Sequence, residues 1–196
     1  MIARTGRAFI VLLVSCLPAA AEPFHHPFGE WREYHRDWLA ACPDIINEDA
    51  SDYYGFSCFA STGSQELNSA NLPAYKLTLF RNRLNGELEV AITVAADGVA
   101  VDPSRPLLMA FGSEAAEAFS FGQDLETRYN TTNQYFVADP DRKAALIERM
   151  KERNSLLLTV PLTGGDAASK EVWLSLRGVI ASLDFMAAYA RRVAQY

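Results

Sequence analysis

The sequence predicts a mainly β protein with two helices, an antiparallel β-sandwich or barrel-like sheet with flanking C-terminal helices. Three observations carry this prediction. Short runs with apolar side chains at every second position recur through the middle of the chain, the period of a strand with one buried face. Asn85-Gly86 stands between two such runs and is the strongest short-range signal for a hairpin. Two later segments instead carry apolar residues every three or four positions, the first opened by Asp139-Pro140. Strands in succession with helices confined to the end indicate layers packed around one core.

Residues 22–36, rich in Pro, His and aromatics, read as an N-terminal arm, extended or with a short helix over Glu30–His35. Asp37 to Cys42 reads as a first strand, stopped by Pro43. An acidic loop follows over 44–52. Tyr53 to Thr62 reads as a second strand, with Phe56, Cys58 and Ala60 on one face. After a polar loop over 63–73, Tyr75, Leu77, Leu79 and Arg81 share one side of a third strand. Beyond Asn85-Gly86, Leu88, Val90, Ile92 and Val94 face the core, while Glu87, Glu89 and Thr93 face water. One dry and one wet face imply antiparallel pairing.

Asp97-Gly98 marks a turn, and Pro106 to Phe111 reads as a strand buried on both faces. Residues 114–121 fit helix or strand. Leu125 to Val137 holds two short strands around a turn at 130–133. Asp139 caps the first helix, Pro140 takes its first position and Asp141 meets the positive end of its dipole. Leu146, Ile147 and Met150 form its buried stripe, and it ends near Asn154. Leu156 to Thr163 reads as a strand, Gly164-Gly165 as a loop and Val172 to Leu176 as a last strand. A final helix starts at Gly178, with Val179, Leu183, Met186, Ala190 and Val193 inward and Arg191 and Arg192 at its C-terminal end.

The first 21 residues read as a secretory signal. Arg4 and Arg7 supply the positive start, Ala8 to Val14 is an apolar run too short to span a bilayer, and Ala19-Ala20-Ala21 supplies a small-residue cleavage site. A cut after Ala21 is preferred, because Pro18 ends the apolar run and both critical positions are Ala. The alternative is a lipobox at Leu13-Val14-Ser15-Cys16, with a lipid anchor on Cys16. No later stretch has the length and apolarity of a membrane helix. The expected location is periplasmic or secreted. The expected organisation is a signal peptide over 1–21, the arm over 22–36 and a single β-rich domain over 37–196, a size that suits one domain.

Cys42 and Cys58 remain after that cut, and an even pair in an exported chain reads as a disulfide. Redox chemistry is the weaker reading, because it usually brings its cysteines together in a C-x-x-C turn. The formal charge of −6, with no basic cluster, argues against nucleic acid or anionic lipid as partner.

Catalytic motifs are not found. The three histidines, His25, His26 and His35, all lie in the arm, and there is no G-x-S-x-G elbow, P-loop or G-x-G-x-x-G. No catalytic, cofactor-binding or metal-ligating residue is therefore assigned, and no enzyme is expected. A metal-handling alternative would use His25, His26 and His35 with Glu30 and Glu33, though their spacing matches no defined metal motif. Glu87 and Glu89 read as a solubilising face rather than a paired acid–base site. Trp31, Tyr34, Trp38, Tyr53, Tyr54, Phe56 and Phe59 crowd the cysteines. Most should pack the core, and a few exposed ones could form a recognition patch.

The order of FGEW, DWLAAC, CFAST, YFVADPDRKAALIERMKERNSLLLTVPL and SLRGVIASLDF resembles the invasion-associated locus B family of bacterial exported proteins. Ser175-Leu176-Arg177-Gly178-Val179 stands where that family's C-terminal signature has a similar Ser-Leu-Lys-Gly-aromatic run. Val179 replaces the aromatic, and the second cysteine pair of many members is missing. The resemblance implies a periplasmic or surface-exposed β-rich protein without known catalysis. The expectation is thus a non-enzymatic interaction protein whose partner is a protein or an envelope component.

Overall fold

Within the segment expected as an extended or helical arm, residues 24–26 and 30–35 are paired strands. In the computed structural model, which describes residues 22–46, 55, 57–128, 131–164 and 168–193 (191–193 by backbone alone), β1 (Phe24–His26) pairs antiparallel with β2 (Glu30–His35). β2 in turn pairs along its whole length with β3 (Trp38–Pro43). The helical alternative for 30–35 is thereby corrected. Pairing with β1 on one side and β3 on the other sets the period of two, with Arg32 and Tyr34 on one face and Trp31, Glu33 and His35 on the other. Gly29, at φ 75, makes the first turn, its N–H donating to the His26 carbonyl at 3.0 Å. The signal segment 1–21 with Cys16, most of the acidic loop, Tyr53, Tyr54, Phe56, Asn130 and Gly165 lie outside the described residues.

The sheet continues through β4 (Ser57–Gly63), β5 (Tyr75–Asn82) and β6 (Leu88–Val94), the last two joined across Asn85-Gly86 as expected. β7 (Leu107–Phe111) and β8 (Glu117–Phe119) belong to a second sheet. This resolves the ambiguity over 114–121 in favour of a strand. It also corrects the reading of 106–111, since Leu108 and Ala110 on the outward face are only half-buried. β9 (Leu125–Glu126) and β10 (Gln134–Val137) complete the first sheet. After α1 (Pro140–Glu152), β11 (Ser155–Pro161) and β12 (Ser169–Ser175) complete the second, and α2 (Val179–Val193) closes the fold.

The result is an antiparallel sheet of eight strands, order β1-β2-β3-β4-β5-β6-β10-β9, and one of four, order β12-β11-β7-β8. The two pack together as a sandwich and neither closes into a barrel. α2 covers β2, β3 and β4, β12 lies against β4 and β5, and α1 lies against β6 and β10. Both helices insert the stripes expected of them: Leu146, Ile147 and Met150 from α1, and Val179, Leu183, Met186 and Ala190 from α2. The Asp139 carboxylate accepts from the Arg142 N–H at 2.8 Å, capping α1.

The disulfide Cys42–Cys58 forms, Sγ–Sγ 2.07 Å, joining β3 to β4 inside the core. No described helix is long and apolar enough to cross a membrane.

One face differs from its expectation. Glu89 is 7% exposed, not solvated. It receives Lys143 Nζ of α1 at 2.8 Å and lies 3.5 Å from Arg128, whose guanidinium stacks 5.1 Å from the Phe136 ring. β10 brings Phe136 beside Ala91, and Phe80 and Phe136 stack 5.8 Å apart with Phe59 against them. The outward side of the large sheet thus carries a small apolar cluster of its own. A carboxylate at its edge must be paired, because an isolated buried charge is costly.

Candidate functional site: a groove on the open face of the large sheet

Strand alternation sets the site. Arg32 and Tyr34 of β2, Leu39 of β3, Phe59 and Ser61 of β4, Lys76 of β5 and Thr93 of β6 all point away from the core, opposite the face that carries Cys42, Cys58 and Trp38. Cross-strand pairs keep them in rows: Tyr34 opposite Leu39, Leu39 opposite Ser61, Lys76 opposite Thr93. They floor a groove of about 740 Å³.

Its wall is the loop between β4 and β5. Asn68 ties that loop to the sheet, its side-chain amide donating to the Ala95 carbonyl at 3.1 Å while its Oδ1 accepts from the Ala70 and Leu72 N–H groups. Pro73 lies directly over Gly63. A Cβ at position 63 would come within 2.4 Å of Pro73 Cβ, so the wall can descend only because this strand residue has no side chain. Leu72, 59% exposed, stands on the rim. At the other end, Phe24 stacks on Tyr34 at 6.1 Å, extending an aromatic surface from β1.

Charge in the groove is unevenly matched. Arg32 is bound to Glu30 of its own strand. Asp37 accepts from Ser175 Oγ at 2.6 Å and from Arg177 Nη2 at 2.8 Å, and these bonds hold its carboxyl below the usual range. Lys76 makes no ion pair or hydrogen bond with any described residue, and burial pushes its amine below the usual lysine value. Arg36, exposed at φ 58, lies on the same border.

The histidines do not converge. His25 and His26 are neighbours on one strand and point to opposite faces, and His35 lies roughly 14 Å along the sheet from the Trp31 that pairs with His25. His25 hydrogen-bonds the Asp44 carboxylate at 2.6 Å, while His26 meets Phe28 and His35 meets Phe185 edge to face. Among the described residues no three His, Cys, Asp or Glu side chains gather as a metal site. Trp38 is fully buried and Phe59 partly so, whereas Trp31 and Tyr34 stay exposed. Lys76 was legible only as one more polar residue on an alternating strand. The apolar side chains that line the groove with it come from residues 39, 59, 72 and 73.

Fold and site together define a class: a disulfide-bonded, two-sheet antiparallel β-sandwich that presents a concave, partly apolar groove on its larger sheet. No protein-family model matches the sequence, and no curated protein matches it. Among solved structures the chain is similar to the crystal structure of invasion associated protein B from Bartonella henselae. The TM-score is 0.54 at 16% identity, over 82% of this chain and 98% of that one. At such identity the likeness is one of fold.

Proposed function

We propose that this chain is an exported, non-enzymatic binding protein of the bacterial periplasm or cell surface, and that the groove over β2–β6 is where it binds. The carrying observation is the groove itself. It combines apolar side chains with a cation that has no partner among the described residues, within the usual ~300–1,000 Å³ range of ligand sites. The disulfide supports an oxidising compartment. Each described histidine already has a structural neighbour, which favours binding over acid–base chemistry.

The test is amide chemical-shift mapping of the ¹⁵N-labelled protein against bacterial-envelope fractions separated into protein, glycan and lipid extracts. At least one fraction is expected to move Tyr34, Leu39, Ser61, Lys76 and Thr93 together. Silence of these signals with every fraction, or new product peaks showing turnover, would overturn the reading.

A further inference from the structure

Lys76, like Arg83, which is 8% exposed and reaches the Pro43 carbonyl, has no carboxylate partner among the described residues. Arg142, Arg149 and Arg153 are all held by carboxylates, Lys143 by Glu89 and Lys170 by Glu66. In a chain of formal net charge −6, acids were available to neutralise Lys76, yet no described acid reaches it. A half-buried ammonium without a counter-ion has lost hydration without a compensating contact. The groove it lines also carries Leu39, Phe59, Leu72 and Pro73, with the hydroxyls of Ser61 and Thr93. Such a setting favours a ligand with one negative charge and an apolar body, because each half meets its complement. A lysine suits a single headgroup, as it acts as a compact point charge and not as a planar fork.

We propose, building on the reading of the groove as the binding site, that it takes a monomeric long-chain carboxylate. The headgroup sits on the Lys76 ammonium, and the alkyl chain runs over Leu39 and Phe59 beneath Leu72 and Pro73. Each methylene that leaves water contributes about 0.8 kcal/mol, so affinity rises with chain length until the groove is filled. A polyanion or a flat anionic membrane fits less well, because Asp37 borders the same opening and Glu30 already holds its Arg32.

Calorimetric titration of the full exported chain with sodium decanoate, below its micellar range, tests this. Binding at one site per chain is expected, tighter than that of hexanoate and at least tenfold tighter than that of decan-1-ol. Lys76→Met is expected to weaken decanoate at least tenfold. Lys76→Arg retains it, and Lys151→Gln on α1 leaves it unchanged. Amide spectra of each variant confirm that the sheet is intact. Equal binding of decan-1-ol, an unaffected Lys76→Met, or preferential co-sedimentation with phosphatidylglycerol vesicles overturns the proposal. If decanoate does not bind while the groove amides still respond to a protein or glycan fraction, the ligand class is wrong and the site reading survives. If the groove responds to nothing, both fall.

Discussion

Replacing Gly178 by Ala tests how the two ends of the chain are locked. Gly178 has φ 108, a conformation L-residues avoid, and a Cβ built there lies 1.8 Å from the His35 carbonyl oxygen. The obstruction is backbone, so no rotamer change relieves it. β2 and the start of α2 must separate, and with them a junction in which Trp38 Nε1 donates to the Ser175 carbonyl at 3.0 Å and Arg177 and Ser175 hold Asp37. The backbone penalty is about 1–2 kcal/mol, and forcing an extra carbon into a filled space adds about 1–3 kcal/mol. Gly112→Ala is the internal control: φ is 59 there, with nothing within 4 Å of the added carbon, so only the backbone term applies. Urea unfolding of the oxidised proteins, followed by Trp fluorescence and far-UV circular dichroism, should place Gly178→Ala about 2 kcal/mol or more below Gly112→Ala at unchanged m. If the two variants unfold within about 0.5 kcal/mol of each other, the close approach is not what position 178 is selected for, and the account of the Ser175–Val179 run fails.

Three further outcomes follow from the same structure. The sixteen-residue separation of Cys42 and Cys58 gives a loop whose closure is worth about 3 kcal/mol. The double Ser variant should lose that much in urea, and a reductant should shift the wild type alike while leaving the variant unmoved. Glu89→Ala removes the carboxylate that holds Lys143, while Arg128 keeps Glu126, and should cost about 3 kcal/mol, whereas the double variant Glu89→Met/Lys143→Met recovers part of the loss. Thermal melts of the three proteins decide this, and additive losses in the double variant would refute the pairing. Acid should also destabilise the fold. The Ser120 N–H, with Arg142, holds the Asp124 carboxyl below its usual value, and Asp37 is lowered by Ser175 and Arg177. A depressed carboxylate contributes stability above its unfolded value near 3.8 and loses it as pH falls through the folded one. Asp124→Asn should therefore be weaker at pH 7 and lose less on going to pH 3 than the wild type, a difference read from urea midpoints at the two pH values.

Local signals were read from the chain where they are self-sufficient. The Asn-Gly turn, the alternation of residues 75–94, the Asp139 cap and the stripe of the last helix each depend on neighbours within a few residues, and each stands in the structure. Residues 30–35 misled because their composition suits an arm or a short helix, and only pairing with β3 settles them as strand. Glu89 misled because alternation says which residues share a face but not what will cover it.

The site shows the same division. Sequence alone pointed to the layered β architecture and the helix boundaries, since period and caps act over short distances, and to the Cys42–Cys58 bond once Cys16 is assigned to a signal segment. Only the tertiary structure decided that Gly63 lets Pro73 settle onto the sheet, that Leu39, Phe59 and Leu72 line one groove with Lys76, and that no described acid answers its charge. Those relations join three strands and a loop, and the electrostatic character of a lysine depends on which neighbours remove its water.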